Sequence, residues 1–123
     1  NAKHIARAQA KVSFNGSVYV FDGNQTTGIA STNRISAGKV EIFLDAATFP
    51  NTAATSPNVI IDVVPNYLTT PTEQRIAHVK VSTIANTGDF ITSFQVWQWL
   101  KSSTNTWDFF DGNFSFRLYC AAV

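Results

Sequence analysis

Charge is what this chain has least of. Only 14% of its 123 residues are Asp, Glu, Lys or Arg, against roughly 25% in an ordinary globular domain. Nine cations against eight acids leave a net charge of +1, without the basic surplus that a nucleic-acid binder needs. A single cysteine rules out an intramolecular disulfide, so no cross-linked framework holds the chain. No stretch of about 18 apolar residues occurs, which excludes a membrane-spanning helix. Methionine is absent and the chain starts at Asn1, with no apolar leader segment near that start. We therefore expect a processed chain or, as the preferred reading, the C-terminal fragment of a longer protein. Its length suits one domain spanning residues 1–123.

Small neutral polar residues and rings stand where charge is missing. The chain holds 10 Ser, 14 Thr and 10 Asn beside 16 aromatics, too many rings for a disordered segment. The dominant period is two, the mark of half-buried strands. Ala6, Ala8, Ala10, Val12 and Phe14 alternate with polar residues and end at Asn15-Gly16, a two-residue hairpin signal. Ser17–Phe21 supplies the return strand. Val40, Ile42 and Leu44 share a face, as do Ala77, Val79 and Val81, then Phe94, Val96 and Leu100, then Phe114, Phe116, Leu118 and Cys120. Val59–Val64 is nearly continuous in apolar residues and reads as an interior strand. Turn clusters fall at Gly23–Gly28, Pro50–Pro57, Thr69–Thr72, Asn86–Asp89 and Ser102–Thr106, and only Thr72–Ala77 has room for a helical turn. Seven or eight short strands at this spacing predict an all-β antiparallel sandwich of jelly-roll type.

Catalytic chemistry is thinly represented. Nucleophilic catalysis needs a base beside its nucleophile, and only His4 and His78 are available. His78 alternates with Ala77 and Val79 and reads as a solvated strand residue, while Cys120 reads as a small buried hydrophobe. The repeated Phe21-Asp22-Gly23-Asn24 and Phe110-Asp111-Gly112-Asn113 read as hairpin turns built on Asp-Gly; neither copy has the acidic spacing of a calcium loop. No phosphate-cradling loop and no metal-ligand cluster appears. The chain is read as a non-enzyme without cofactor or metal.

The rings are more informative. On Phe94–Leu100, Trp97 and Trp99 lie opposite Phe94, Val96 and Leu100, so both faces are apolar. Three placements compete: a central strand covered on both sides, a contact with an identical neighbouring chain, and a ring platform for a sugar. Trp107 lies with Asp108 in the predicted loop Ser102–Phe110, where ligand contacts concentrate on rigid β scaffolds. Lys101, Asn105 and Asp111 would complete a polar rim around it.

A family resemblance enters through the first third of the chain. Ala10-Lys11-Val12-Ser13-Phe14-Asn15-Gly16, then Thr27-Gly28-Ile29-Ala30-Ser31-Thr32-Asn33-Arg34-Ile35, then Gly38-Lys39-Val40-Glu41-Ile42, resemble terminal domains of phage tail proteins. There an Ala-Lys-x-x-x-Phe-Asn-Gly strand and turn precedes a Gly-x-Ile segment, an Asn-containing turn and a Gly-x-Tyr-x-Val strand. Two departures stand out: Lys39 sits near a usual aromatic, and Val12 or Ser13 where a Trp is usual. The likeness covers roughly residues 6–50. It implies the distal, receptor-binding domain of a tail fibre or virion spike, assembled as a homotrimer and located on the virion. Trp97 and Trp99 would then be trimer contacts, and Trp107, Asp108, Lys101, Asn105 and Asp111 would face a host cell-surface glycan or protein. The rival expectations are a purely structural spike or capsid domain, and a carbohydrate-binding module or glycan hydrolase using Asp108 and Asp111 as its carboxylates.

Overall fold

Two antiparallel sheets face each other in this computed structural model, which describes residues 4–23, 28–45, 59–66, 74–87, 90–102 and 104–121. Nine strands lie among the described residues: β1 (His4–Phe14), β2 (Tyr19–Phe21), β3 (Ile29–Ser36), β4 (Lys39–Leu44), β5 (Val59–Pro65), β6 (Arg75–Thr87), β7 (Phe90–Lys101), β8 (Trp107–Phe109) and β9 (Phe114–Ala121). One sheet runs β2-β1-β9-β5, and the other runs β3-β4-β7-β6 with β8 also on β7. The chain is therefore an all-β sandwich. Arg75, Ile76 and Ala77 open strand β6, so the helical turn considered for this region does not form there.

Alternation decides which side chains fill the interior. Ala8, Ala10 and Val12 of β1, Val40, Ile42 and Leu44 of β4, Phe94 and Val96 of β7, and Phe114, Phe116 and Leu118 of β9 are buried between the sheets. Phe94 and Phe116 meet edge to face across the sandwich, ring centroids 5.3 Å apart, the geometry that suits two ring quadrupoles. The side chains of His4 and Cys120 lie outside the described residues.

Several local expectations change. The Asn15-Gly16 hairpin forms, but Phe14 pairs with Tyr19, so the connection has four residues rather than two. The Asn15 carboxamide accepts both the Ser17 and Val18 N–H groups at 3.0 Å, and this side-chain turn takes the place of a tighter backbone one. Asn15→Ala removes both acceptors and should cost about 1 kcal/mol in urea unfolding; Asn15→Asp, which keeps an acceptor oxygen, should cost less than half of that. Equal losses from the two variants would contradict this account.

Among the described residues Val59–Pro65 is an edge strand of its sheet rather than an interior one, paired within it to β9. Ile61 and Val63 pack inward, while Ile60 and Val64 are exposed. An edge position also tolerates Pro65, which has no N–H to give a ladder. Ile29–Ser36 becomes a strand, with Asn33 opposite Glu41 rather than in a turn. In β6 the register slips between Lys80 and Ala85, and Val81, expected beside Val79, is 75% exposed. There the Thr83 hydroxyl accepts the Gln95 N–H at 3.0 Å, replacing a lost ladder bond.

Neither Asp-Gly segment closes a hairpin. Phe110–Asn113 carries the chain from β8 in one sheet to β9 in the other, and the segment after Phe21 joins β2 to β3, again between sheets. The predicted turns at Pro50–Pro57 and Thr69–Thr72, and most of Gly23–Gly28, lie outside the described residues.

Candidate functional site

The outer face of the five-stranded sheet carries a cluster of rings. Strand β7 is central in that sheet, and its inward residues Phe94, Val96 and Gln98 are fully buried, so Trp97 and Trp99 must point outward. Register brings partners to them: Lys39 of β4 and His78 of β6 stand opposite Trp97, and Ile76 of β6 and Phe109 of β8 opposite Trp99. Trp99 stacks on Phe109 at 5.1 Å and on His78 at 5.0 Å. Trp97 meets Trp99 and Phe109 edge-on at 6.3 and 5.9 Å. Lys39 Nζ sits 4.3 Å from the Trp97 ring centre and 4.6 Å from that of Phe109. Lys80 Nζ lies 4.9 Å from Trp97. The Trp97 indole N–H donates to Gln95 Oε1 at 2.9 Å.

Next along the same face, Lys101 pairs with Trp107. Trp107, Phe109 and Ile76 are 40%, 42% and 44% exposed. The result is a partly exposed apolar surface with cations set among its rings, and it is the candidate site.

Residues alternating with these rings form a polar bridge inside the sandwich. The Tyr19 hydroxyl donates to Asp111 Oδ1 at 2.6 Å, and the Gly38 N–H donates to the same oxygen at 2.9 Å. Arg34 pairs with Asp111 Oδ2 through Nε and Nη2 at 3.1 and 2.8 Å. Fully buried Gln98 gives its Nε2–H to the Tyr19 oxygen at 3.0 Å and accepts Arg75 Nη2 at 2.9 Å. Arg75 continues to the carbonyls of Asn66 and Asn113, each at 3.1 Å.

Burial, and then the neighbouring carboxylate, push the Tyr19 hydroxyl far above the ordinary tyrosine range. Burial alone would raise Asp111, but the Arg34 pairing, the Tyr19 hydroxyl and the Gly38 N–H outweigh it and hold the carboxyl below its ordinary 3.8. This network sets the platform's geometry. Gly38 precedes Lys39, Gln98 lies between Trp97 and Trp99, and the Phe110 N–H donates to the Gln98 carbonyl at 3.2 Å. The contacts at Gly38, Gln98 and Phe110 therefore pin the backbone next to Lys39, Trp97, Trp99 and Phe109.

The expected site residues divide accordingly. Trp107 and Lys101 share the outer face with Trp97 and Trp99. Trp107 stands on strand β8 instead of in a loop. Asp108 is exposed but lies opposite Leu100, on the alternate face of β8. Asn105 occupies the turn before β8 with φ of 64°, its N–H given to the Ser102 carbonyl at 3.0 Å. Asp111 is not part of the rim: its side chain is only 12% exposed and all its contacts serve the bridge. Gly112 beside it is buried, and a methyl group there would overlap the Arg75 guanidinium. Phe109, Lys39, Lys80 and Ile76 were not foreseen as site residues, because pairing between distant strands alone brings them together. No group of three His, Cys, Asp or Glu side chains converges among the described residues. A cavity of about 230 Å³ near Asp62, Arg117 and Tyr119 on the other sheet falls below the usual range for ligand pockets, about 300–1,000 Å³. Comparison with known proteins finds no matching family model, no similar curated protein and no similar solved structure.

Proposed function

We propose that this chain is a non-catalytic host-attachment domain of a phage tail fibre or virion spike. In this reading it works as a homotrimer at the virion tip and binds a glycan of the bacterial cell surface. The observation that carries the proposal is the exposed rings of Trp107 and Phe109 on β8, beside the partly buried Trp99 of β7. Flat apolar rings match the C–H faces of sugar rings, and neighbouring polar groups can meet the hydroxyls. The phage-tail resemblance of residues 6–50 supports the same reading. So does Asp111, because its carboxylate is engaged by Tyr19, Gly38 and Arg34 and turned away from the ring surface, so it is not placed to serve as one of a glycosidase's two carboxylates. Three linked copies would multiply a modest affinity per site.

One observation favours a second reading, a structural virion domain. Trp97 and Trp99 occupy the middle of one face, and rings are enriched in interface cores. Yet the Trp97 ring is already flanked by Lys39 and Lys80 of its own chain, so no neighbouring chain is needed to explain its partial burial. The two readings separate in a cell-binding assay paired with light scattering. Trp107→Ala should lower binding to host cells more than tenfold, the scale of a central tryptophan anchor, and leave the trimer intact. If Trp107→Ala binds normally while Trp97→Ala dissociates the oligomer, the structural reading replaces this one. A monomeric wild type would remove the trimer.

A further inference from the structure

We infer that the glycan taken by the β7–β8 platform is anionic, with a carboxylate or phosphate on the sugar meeting Lys39, Lys80 and Lys101. The inference rests on the glycan reading above and adds a charge to it. Three lysines lie on or beside the ring surface, yet among the described residues the only salt bridge is Arg34–Asp111, on a different part of the molecule. Glu41, opposite Gln95 on this face, is engaged through Oε2 by the Ser93 hydroxyl at 2.9 Å. Asp108 lies on the alternate face of β8. Among the described residues Glu41 is thus the one carboxylate on this face, in no salt bridge with the three lysines, and the surface has an excess of positive charge.

Position matters as much as charge. Lys39 Nζ is held between two rings, 4.3 and 4.6 Å from their centres, an arrangement that fixes a flexible side chain through cation–π attraction. An ammonium fixed in this way has already lost part of its rotamer freedom, so binding an anion costs less ordering. Its ring contact leaves N–H donors for a carboxylate or phosphate oxygen. A sugar ring placed against the exposed Trp107 ring would bring an acidic substituent at its edge toward Lys101, which pairs with Trp107, while Lys39 beside Phe109 would serve the next residue. A neutral sugar would make the ring contacts only.

The test uses the full chain against immobilised bacterial polysaccharides, each presented native, carboxyl-reduced and dephosphorylated. Carboxyl reduction turns an acidic sugar into its neutral counterpart, and dephosphorylation removes the other source of charge. At least one native polysaccharide should bind and lose about tenfold in affinity on one of the two treatments, which identifies the anion. Lys39→Gln combined with Lys101→Gln should cause a similar loss on the native form with an unchanged unfolding midpoint, and Lys39→Arg should retain binding. Equal binding of native and doubly treated forms would overturn the anionic inference and leave the glycan reading standing. Binding to none of the polysaccharides would overturn both. Equal binding to polyglutamate would show that charge alone is recognised, again overturning both.

Discussion

Asp111→Ala is expected to lower the unfolding free energy by about 3 kcal/mol, a large share of the 5–15 kcal/mol typical of a domain. The cause is not the visible ion pair. Arg34 is partly exposed, and exposed pairs of this kind contribute little. What decides the outcome is the interior side of the carboxylate, which accepts the Tyr19 hydroxyl and the Gly38 N–H. Removing it strands two donors in the sandwich, each costing about 1–3 kcal/mol when unpaired. Asp111→Asn keeps an acceptor oxygen for them and should lose only about 1 kcal/mol.

The same carboxylate gives a signed pH dependence. Its folded value is held below 3.8, so its ionisation favours the folded state above that value. The contribution fades as the pH falls from 3.8 through the lower folded value. Urea unfolding at pH 7 should therefore separate wild type from Asp111→Asn, and the gap should close on acidification below pH 3.8. A gap that persists unchanged into strong acid, or an Asp111→Ala loss under about 1 kcal/mol, would rule out this role for Asp111.

Gly38→Ala should be comparably damaging, also about 3 kcal/mol, for a purely steric reason. Gly38 has φ of 74°, a left-handed conformation costing other residues about 1–2 kcal/mol. An added Cβ would lie 2.7 Å from the Gln98 carbonyl oxygen and 2.8 Å from the Phe110 nitrogen. Both are backbone atoms, so no side chain can swing aside, and overpacking of this sort adds about 1–3 kcal/mol. Strands β4 and β8 line up end to end along β7 at this point, with the Gln98 N–H bound to the Gly38 carbonyl at 2.8 Å. Gly23→Ala is the control: nothing lies within 4 Å of its Cβ position, and a shift under about 0.5 kcal/mol is expected. Equal losses at the two glycines in thermal unfolding would contradict the steric account. If Gly38→Ala also weakens glycan binding, the bridge and the platform are coupled through this junction, since Lys39 is the next residue.

Much of the architecture was legible from local pattern. Alternation placed Val40, Ile42, Phe94, Val96, Phe114, Phe116 and Leu118 inward because successive strand side chains take opposite faces. The same rule put His78 outward and Trp97 and Trp99 on the face opposite Phe94 and Val96, without deciding what covers that face. It failed where an extra residue broke the period, as at Val81 in the β6 bulge, and where a strand lacked an apolar stripe, as in Ile29–Ser36. Val59–Val64 misled for another reason. An apolar run looks the same whether a second strand covers it or solvent does.

The candidate site was only half visible. Trp107, Lys101, Trp97 and Trp99 stood out as rings and a cation on or near one strand, but their companions Lys39, Lys80 and Phe109 reach them only through the pairing of β4, β6 and β8 with β7. The departure at Lys39, where the resembling proteins place an aromatic nearby, carried a signal that could not be read until Trp97 was found opposite it. Asp111 shows the converse error. An Asp-Gly pair looks like an exposed turn in sequence, and here the crossing between sheets turns the carboxylate inward toward Tyr19 and Gly38.

Composition and period two were thus sufficient to determine an all-β sandwich, its low charge and the shared face of Trp97 and Trp99, because these depend on short-range geometry and on the count of apolar residues. Which cations stand over those rings, and which carboxylate is buried beneath them, was decided only by tertiary pairing. Strand register joins residues up to 117 positions apart, as where His4 pairs with Ala121, and no local pattern encodes contacts at that distance.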